Sequence, residues 1–134
     1  MSHPAAGFGS FARRCVVAGA VLMLAGVILG AFGTHLLVAR LPPRQFSSYQ
    51  TAVLYQLLHA LGLLVLGLIA QVSAVTTPLR WSARLMLFGI ACFSGSIYLM
   101  TAGAPHWLGR VAPIGGLALM ASWVMLALHA LTRR

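Results

Sequence analysis

No aspartate or glutamate occurs among these 134 residues, and all nine strong cations are arginines, with no lysine. Without carboxylates the chain holds no acidic proton relay, no carboxylate metal ligand and no carboxylate general base. Carboxylate-driven pumping, carboxylate-based metal chemistry and any Ser-His-Asp arrangement are therefore excluded within the chain. Cysteine is also scarce. Cys15 opens one apolar run and Cys92 falls in the middle of another, and this spacing does not give the matched depths a disulfide needs. The two thiols read as buried, apolar side chains. Charged residues make up only 7% of the chain, against roughly 25% in a soluble domain, too few to cover a water-facing surface.

What the sequence has in quantity is apolar length, at 60% hydrophobic residues. The runs predict an all-α integral membrane protein, an antiparallel four-helix bundle, with spans at about 15–37, 51–72, 85–102 and 113–131. Residues 1–14 read as a short N-terminal tail and 15–131 as a single transmembrane domain. The first run, roughly 23 residues at about 1.5 Å each, is long enough for the hydrocarbon layer. Pro42 and Pro43 break the chain after it, Thr76-Thr77-Pro78 breaks the second connection, and Gly103 to Ala112 forms the third. Short connections make consecutive spans antiparallel neighbours.

The arginines come at the edges of the apolar runs, which is the pattern of loops beside membrane spans rather than of a nucleic-acid-binding face. Arg13, Arg14, Arg80, Arg84, Arg133 and Arg134 fall on one side of such a bundle and Arg40, Arg44 and Arg110 on the other. The excess predicts both termini in the cytoplasm. The six on that side are candidate contacts for anionic lipid headgroups.

Small residues mark where helices approach closely. Gly26 and Gly30 form a GxxxG pair, and Gly19, Gly26 and Gly33 repeat every seven residues, so span 1 carries one stripe suited to a partner helix. Gly95 in span 3, and Gly115, Gly116 and Ala118 in span 4, are the corresponding candidates there.

The polar residues at lipid depth centre on Tyr49 to Leu64, YQTAVLYQLLHALGLL. Tyr55 and Gln56 lie four and three residues before His59, which places the three on one side of a helix. His35, near the outer end of span 1, is expected to join them. A cluster of His35, Tyr55, Gln56 and His59 either satisfies itself and fixes helix register, or lines a path for a ligand or ion. No tight His/Cys ligand spacing points to a metal, and no cofactor is expected. His129 sits near a helix C-terminus, where the helix dipole accounts for it.

Four blocks in order, GAFGTHLL at 30–37, YQTAVLYQLLHALGLL at 49–64, FSGSIYLMTAG at 93–103 and APIGGLALMASWVMLAL at 112–128, resemble the YgdD/YwdK-like family of small membrane proteins, domain of unknown function 423. The resemblance covers about residues 13–130. It implies four spans and a bacterial inner-membrane location, and it brings no activity with it. The functional expectation is a membrane protein without enzymatic activity, an accessory or scaffold component packing against a larger membrane complex or itself. The alternatives are an oligomeric transporter or channel with a His/Gln-lined path, and an anionic-lipid-binding protein.

Overall fold

A computed structural model describes residues 7–132. Helix α1 spans Ser10–Phe32 and continues through a π-helical turn, Gly33–Leu37. Helix α2 is Pro43–Val72, α3 is Thr77–Thr101, and a short 3-10 turn, His106–Arg110, leads into α4, Val111–Leu131. All four helices are long and apolar enough to cross a membrane, and the described residues contain no strand.

Local chemistry sets the boundaries. Pro43 opens α2, where its missing N–H costs nothing. The Thr76 hydroxyl caps α3 by accepting from the Leu79 N–H at 3.4 Å. Gly103, at φ 98°, takes the left-handed conformation that ends α3, and the Ala104 N–H returns to Leu99 O at 2.9 Å.

All four helices start earlier than the apolar runs predict: Ser10 rather than 15, Pro43 rather than 51, Thr77 rather than 85 and, by only two residues, Val111 rather than 113. The expectation followed the hydrocarbon-facing residues alone. A helix that has begun keeps its backbone bonded through the headgroup region, and arginine is a good helix former. Arg13, Arg14, Arg80 and Arg84 therefore lie on helix ends rather than in loops.

The helices pack in chain order. α1 lies closely on α2 and α3 on α4, with a looser contact between α2 and α3, and no comparable approach joins α1 to α4. Matching depths confirm antiparallel neighbours. A Cβ on Gly19 would lie 2.8 Å from Ala60 O, one on Gly26 2.6 Å from the Leu57 side chain, and one on Gly33 2.6 Å from the Tyr49 ring. The heptad stripe of α1 is thus its contact with α2. Between α3 and α4 the approach is closer still, since a Cβ on Gly115 would strike the backbone of Phe93 and Cys92. Leu63, Leu66, Leu79, Met86 and Leu119 fill the interior where these pairs meet. The outer surface carries exposed apolar side chains such as Val21, Leu24, Ile28, Leu117 and Met120, the arrangement that acyl chains solvate.

Candidate functional site

The buried glutamine and the two buried histidines belong to three hydrogen-bonded groups, and α2 contributes to each. Gln56 is buried and points between α1 and α3. Its Nε2 donates to Leu22 O of α1 at 2.8 Å, and its Oε1 accepts from the Tyr98 hydroxyl of α3 at 2.9 Å. One amide therefore ties three helices together. Seven residues earlier on α2, Tyr49 donates its hydroxyl to Leu29 O at 2.7 Å. Its ring lies against that of Tyr98 with centroids 5.4 Å apart.

His59 faces the other way, toward α4. Its Nδ1 lies 2.7 Å from Tyr55 O, and the indole Nε1 of Trp123 lies 3.0 Å from its Nε2. A carbonyl only accepts and an indole N–H only donates. Nδ1 therefore carries the proton and Nε2 accepts, so this imidazole is neutral with a defined tautomer.

The third group closes the end of the bundle that holds the α2–α3 connection. His129 of α4 is buried, with Nδ1 2.7 Å from Thr76 Oγ1 and Nε2 3.4 Å from Ser73 Oγ. The Ser73 hydroxyl proton goes to Ile69 O at 2.9 Å, so Ser73 accepts from His129 Nε2–H. The Thr76 hydroxyl is then free to donate to Nδ1. The dipole reading of His129 omits this: the residue bolts α4 to the α2–α3 connection.

Three further serines join backbones of adjacent elements or of their own helix. Ser82 donates to Ser122 O at 2.8 Å, Ser94 to Ala52 O at 2.7 Å, and Ser122 to Leu119 O at 2.6 Å. Among the described residues no buried side-chain nitrogen or oxygen lacks a partner.

The expected cluster of His35, Tyr55, Gln56 and His59 does not assemble. His35 is exposed. The glycine stripe holds Gly33 against Tyr49, and a residue two further along the helix points to the opposite side. Tyr55 is 38% exposed and stacks on Phe93 of α3 at 4.7 Å; it meets His59 through its backbone carbonyl and through its ring, whose centroid lies 6.0 Å from that of the imidazole. Gln56 and His59 are both buried, but they bond to different helices. The residues that complete these groups, Tyr49, Tyr98, Trp123, Thr76 and Ser73, were not singled out from sequence as partners.

Of the proposed packing positions, Gly19, Gly26, Gly30, Gly33, Gly115 and Ala118 lie in helix contacts. Gly116 has only an ordinary contact with Phe93, at 3.9 Å, and a Cβ on Gly95 would meet nothing within 4 Å. Gly95 is therefore corrected from a packing glycine to an open one. Gly62, Gly67 and Gly89 make close approaches that no regular spacing announced. Cys15 and Cys92 are free thiols. Among the described residues no three His, Cys, Asp or Glu side chains come together as a metal-binding group. Arg13, Arg14, Arg80 and Arg84 are exposed, while Arg133 and Arg134 lie outside the described residues.

Comparison with known proteins agrees with the four-block pattern. The model of a family described as a protein of unknown function, DUF423, matches residues 29–116. The UPF0382 membrane protein YwdK of Bacillus subtilis is 37% identical over 115 residues, covering 86% of this chain and 94% of that protein. A UPF0382 membrane protein of Staphylococcus haemolyticus is 36% identical over 111 residues, covering 83% of this chain and 89% of that protein. No solved structure matches.

Proposed function

This chain belongs to the DUF423 family of membrane proteins, and from that premise we propose that it is a scaffold of a bacterial inner membrane, without enzymatic activity, that packs against a partner membrane protein. Both termini face the cytoplasm in this reading. The observation that carries it is the saturation of the interior: Gln56, His59, Ser82, Ser94, Ser122 and His129 are buried and spend their polar groups on other parts of the same chain. At lipid depth an ionisable or amide side chain that serves a substrate faces a cavity or a second ligand. Here all but Ser122, which bonds within its own helix, reach a neighbouring element, so the polar investment goes into one fixed arrangement of four rods.

A His/Gln-lined path is the less favoured alternative. Its four lining residues do not share one path: His35 is outside, Tyr55 keeps its contact with His59 but stacks on Phe93, and Gln56 and His59 are directed at different helices. The scaffold reading draws further support from the open order of packing. Because α1 and α4 have no close approach to one another, α1 keeps a whole apolar face outward, with Leu24, Val27 and Ile28 each more than half exposed.

The test is a photo-reactive amino acid placed singly at Leu24, Val27 or Ile28 in the full chain, activated in native membranes. The scaffold reading expects one discrete protein adduct, of the same mass from neighbouring positions. Adducts to lipid alone at all three positions would overturn it.

A further inference from the structure

We propose that the cleft between the N-terminal ends of α1 and α3 is a binding site for one anionic glycerophospholipid of the leaflet that holds the N-terminus. This goes beyond the scaffold reading and does not depend on it. α1 and α3 make no close backbone packing with each other, so a groove of about 260 Å³ opens between them. Its floor is Leu63 of α2 with Cys15 of α1 and Ala83 of α3, all buried. Its mouth is lined by three guanidinium-bearing residues, Arg14 from α1 and Arg80 and Arg84 from α3. Arg80 lies over the Phe11 ring, 5.9 Å from its centroid, and so leans across from α3 to α1. Arg84 lies 5.3 Å from the centroid of Trp81.

Charge decides the class of occupant. Three cations share one cleft in a chain with no aspartate or glutamate, so no acidic side chain of the protein can neutralise them. Each guanidinium presents a planar fork that fits phosphate oxygens bidentately. An anion seated at the mouth relieves the mutual repulsion of the three.

The apolar continuation decides that the anion is a lipid. The groove shares Arg14, Ala18 and Leu87 with a second trough of about 550 Å³ along α1, lined further by Val17, Val21 and Leu22. A free phosphate has no use for that surface, whereas a glycerophospholipid has a headgroup for the arginines and a chain for the trough. An acyl chain gains little by exchanging lipid for protein neighbours, so the trough fixes where the chain lies and the headgroup supplies the preference. Phosphatidylcholine also carries a phosphate, but its choline cation would sit among the guanidiniums. Phosphatidylglycerol has no such cation.

The experiment is native mass spectrometry of the full chain released from nanodiscs of equal phosphatidylglycerol and phosphatidylcholine. Both leaflets are then alike, so membrane orientation does not enter. The wild type is expected to retain one phosphatidylglycerol. At about a factor of five for each surface arginine, R80Q/R84Q should retain it roughly 30-fold less, whereas R40Q/R44Q, at the opposite ends of the helices, should match wild type. A18F keeps every charge and fills the groove, and it should also lose the lipid. Inorganic phosphate at 10 mM, on the order of ten thousand times a micromolar binding constant, should leave the retained lipid in place. Equal retention of the two lipids, unchanged retention in R80Q/R84Q or in A18F, or displacement by inorganic phosphate would each overturn the assignment.

Discussion

Trp123 donates its indole N–H to Nε2 of His59 at 3.0 Å, while the Tyr55 carbonyl takes the proton on Nδ1. The two bonds demand the Nδ1–H tautomer. Nitrogen-15 NMR of the full chain in lipid at neutral pH should therefore show His59 Nδ1 protonated and Nε2 bare. Trp123→Phe removes the donor and leaves a buried acceptor, which should lower stability by about 1 kcal/mol, within the range found for interhelical hydrogen bonds in membranes. The Tyr55 carbonyl should still hold the proton on Nδ1 in that variant. An Nε2–H imidazole in the wild type would rule the arrangement out.

Gln56 and Tyr98 should be energetically coupled. The Gln56 amide bridges Leu22 O and the Tyr98 hydroxyl, at 2.8 and 2.9 Å. Gln56→Leu and Tyr98→Phe each strand a polar group at lipid depth, but the double variant strands fewer than the two singles together. A double-mutant cycle, read by reversible unfolding in mixed micelles, should give a coupling of about 0.6–1.7 kcal/mol. Gln56→Glu should be worse than Gln56→Leu, because a carboxylate cannot donate to Leu22 O and has no cation in the interior to pair with. Additive single effects would show that the hydroxyl and the amide do not meet.

The parts of this architecture readable from sequence share one property: they depend on spacing within a single helix. Apolar length gives the four spans, and the heptad of Gly19, Gly26 and Gly33 gives the face of α1 that meets α2. What could not be read depends on which helix stands opposite. Gln56 and His59 are three residues apart and both buried, yet one looks to α1 and α3 and the other to α4. Nothing in the local pattern distinguishes them. Trp123 is 43% exposed and reads as an outward aromatic; only the position of α2 makes its N–H an inward donor. His35 is a different case. Its outward placement follows from Gly33 facing Tyr49, so the glycine stripe already contained the information that separates it from the cluster.

Glycine positions in α3 and α4 should differ sharply in tolerance. A methyl group at Gly115 would collide with the Phe93 backbone, which cannot rotate aside as a side chain can, whereas one at Gly95 meets nothing within 4 Å. Gly115→Ala should cost about 1–3 kcal/mol, the range for overpacking a tight contact. Gly95→Ala should be neutral or stabilising by up to about 1 kcal/mol, since alanine loses less backbone freedom in a helix. Thermal unfolding of both variants in one detergent compares them directly. Equal midpoints would mean that α3 and α4 do not approach this closely at Gly115.

Membrane orientation is the last prediction, and it follows from counting charge at the two ends of the bundle. Arg13, Arg14, Arg80 and Arg84 lie at one end and Arg40, Arg44 and Arg110 at the other, and Arg133 and Arg134, outside the described residues, follow the end of α4 in sequence and are counted with the first group. Arginine-rich ends stay on the cytoplasmic side because moving them across is opposed during insertion. A cysteine at His106, in the turn before α4, should react with a membrane-impermeant maleimide in intact spheroplasts. A cysteine at Thr132, just beyond α4, should react only after permeabilisation. Replacing Arg13, Arg14, Arg80 and Arg84 by glutamine leaves two arginines against three and should send part of the population in upside down, making Thr132→Cys reactive from outside. Replacing Arg40 and Arg44 instead widens the bias and should leave the labelling unchanged. Labelling of Thr132→Cys in intact cells with all nine arginines in place would reverse the assignment, and would move the arginine-lined cleft between α1 and α3 to the outer leaflet.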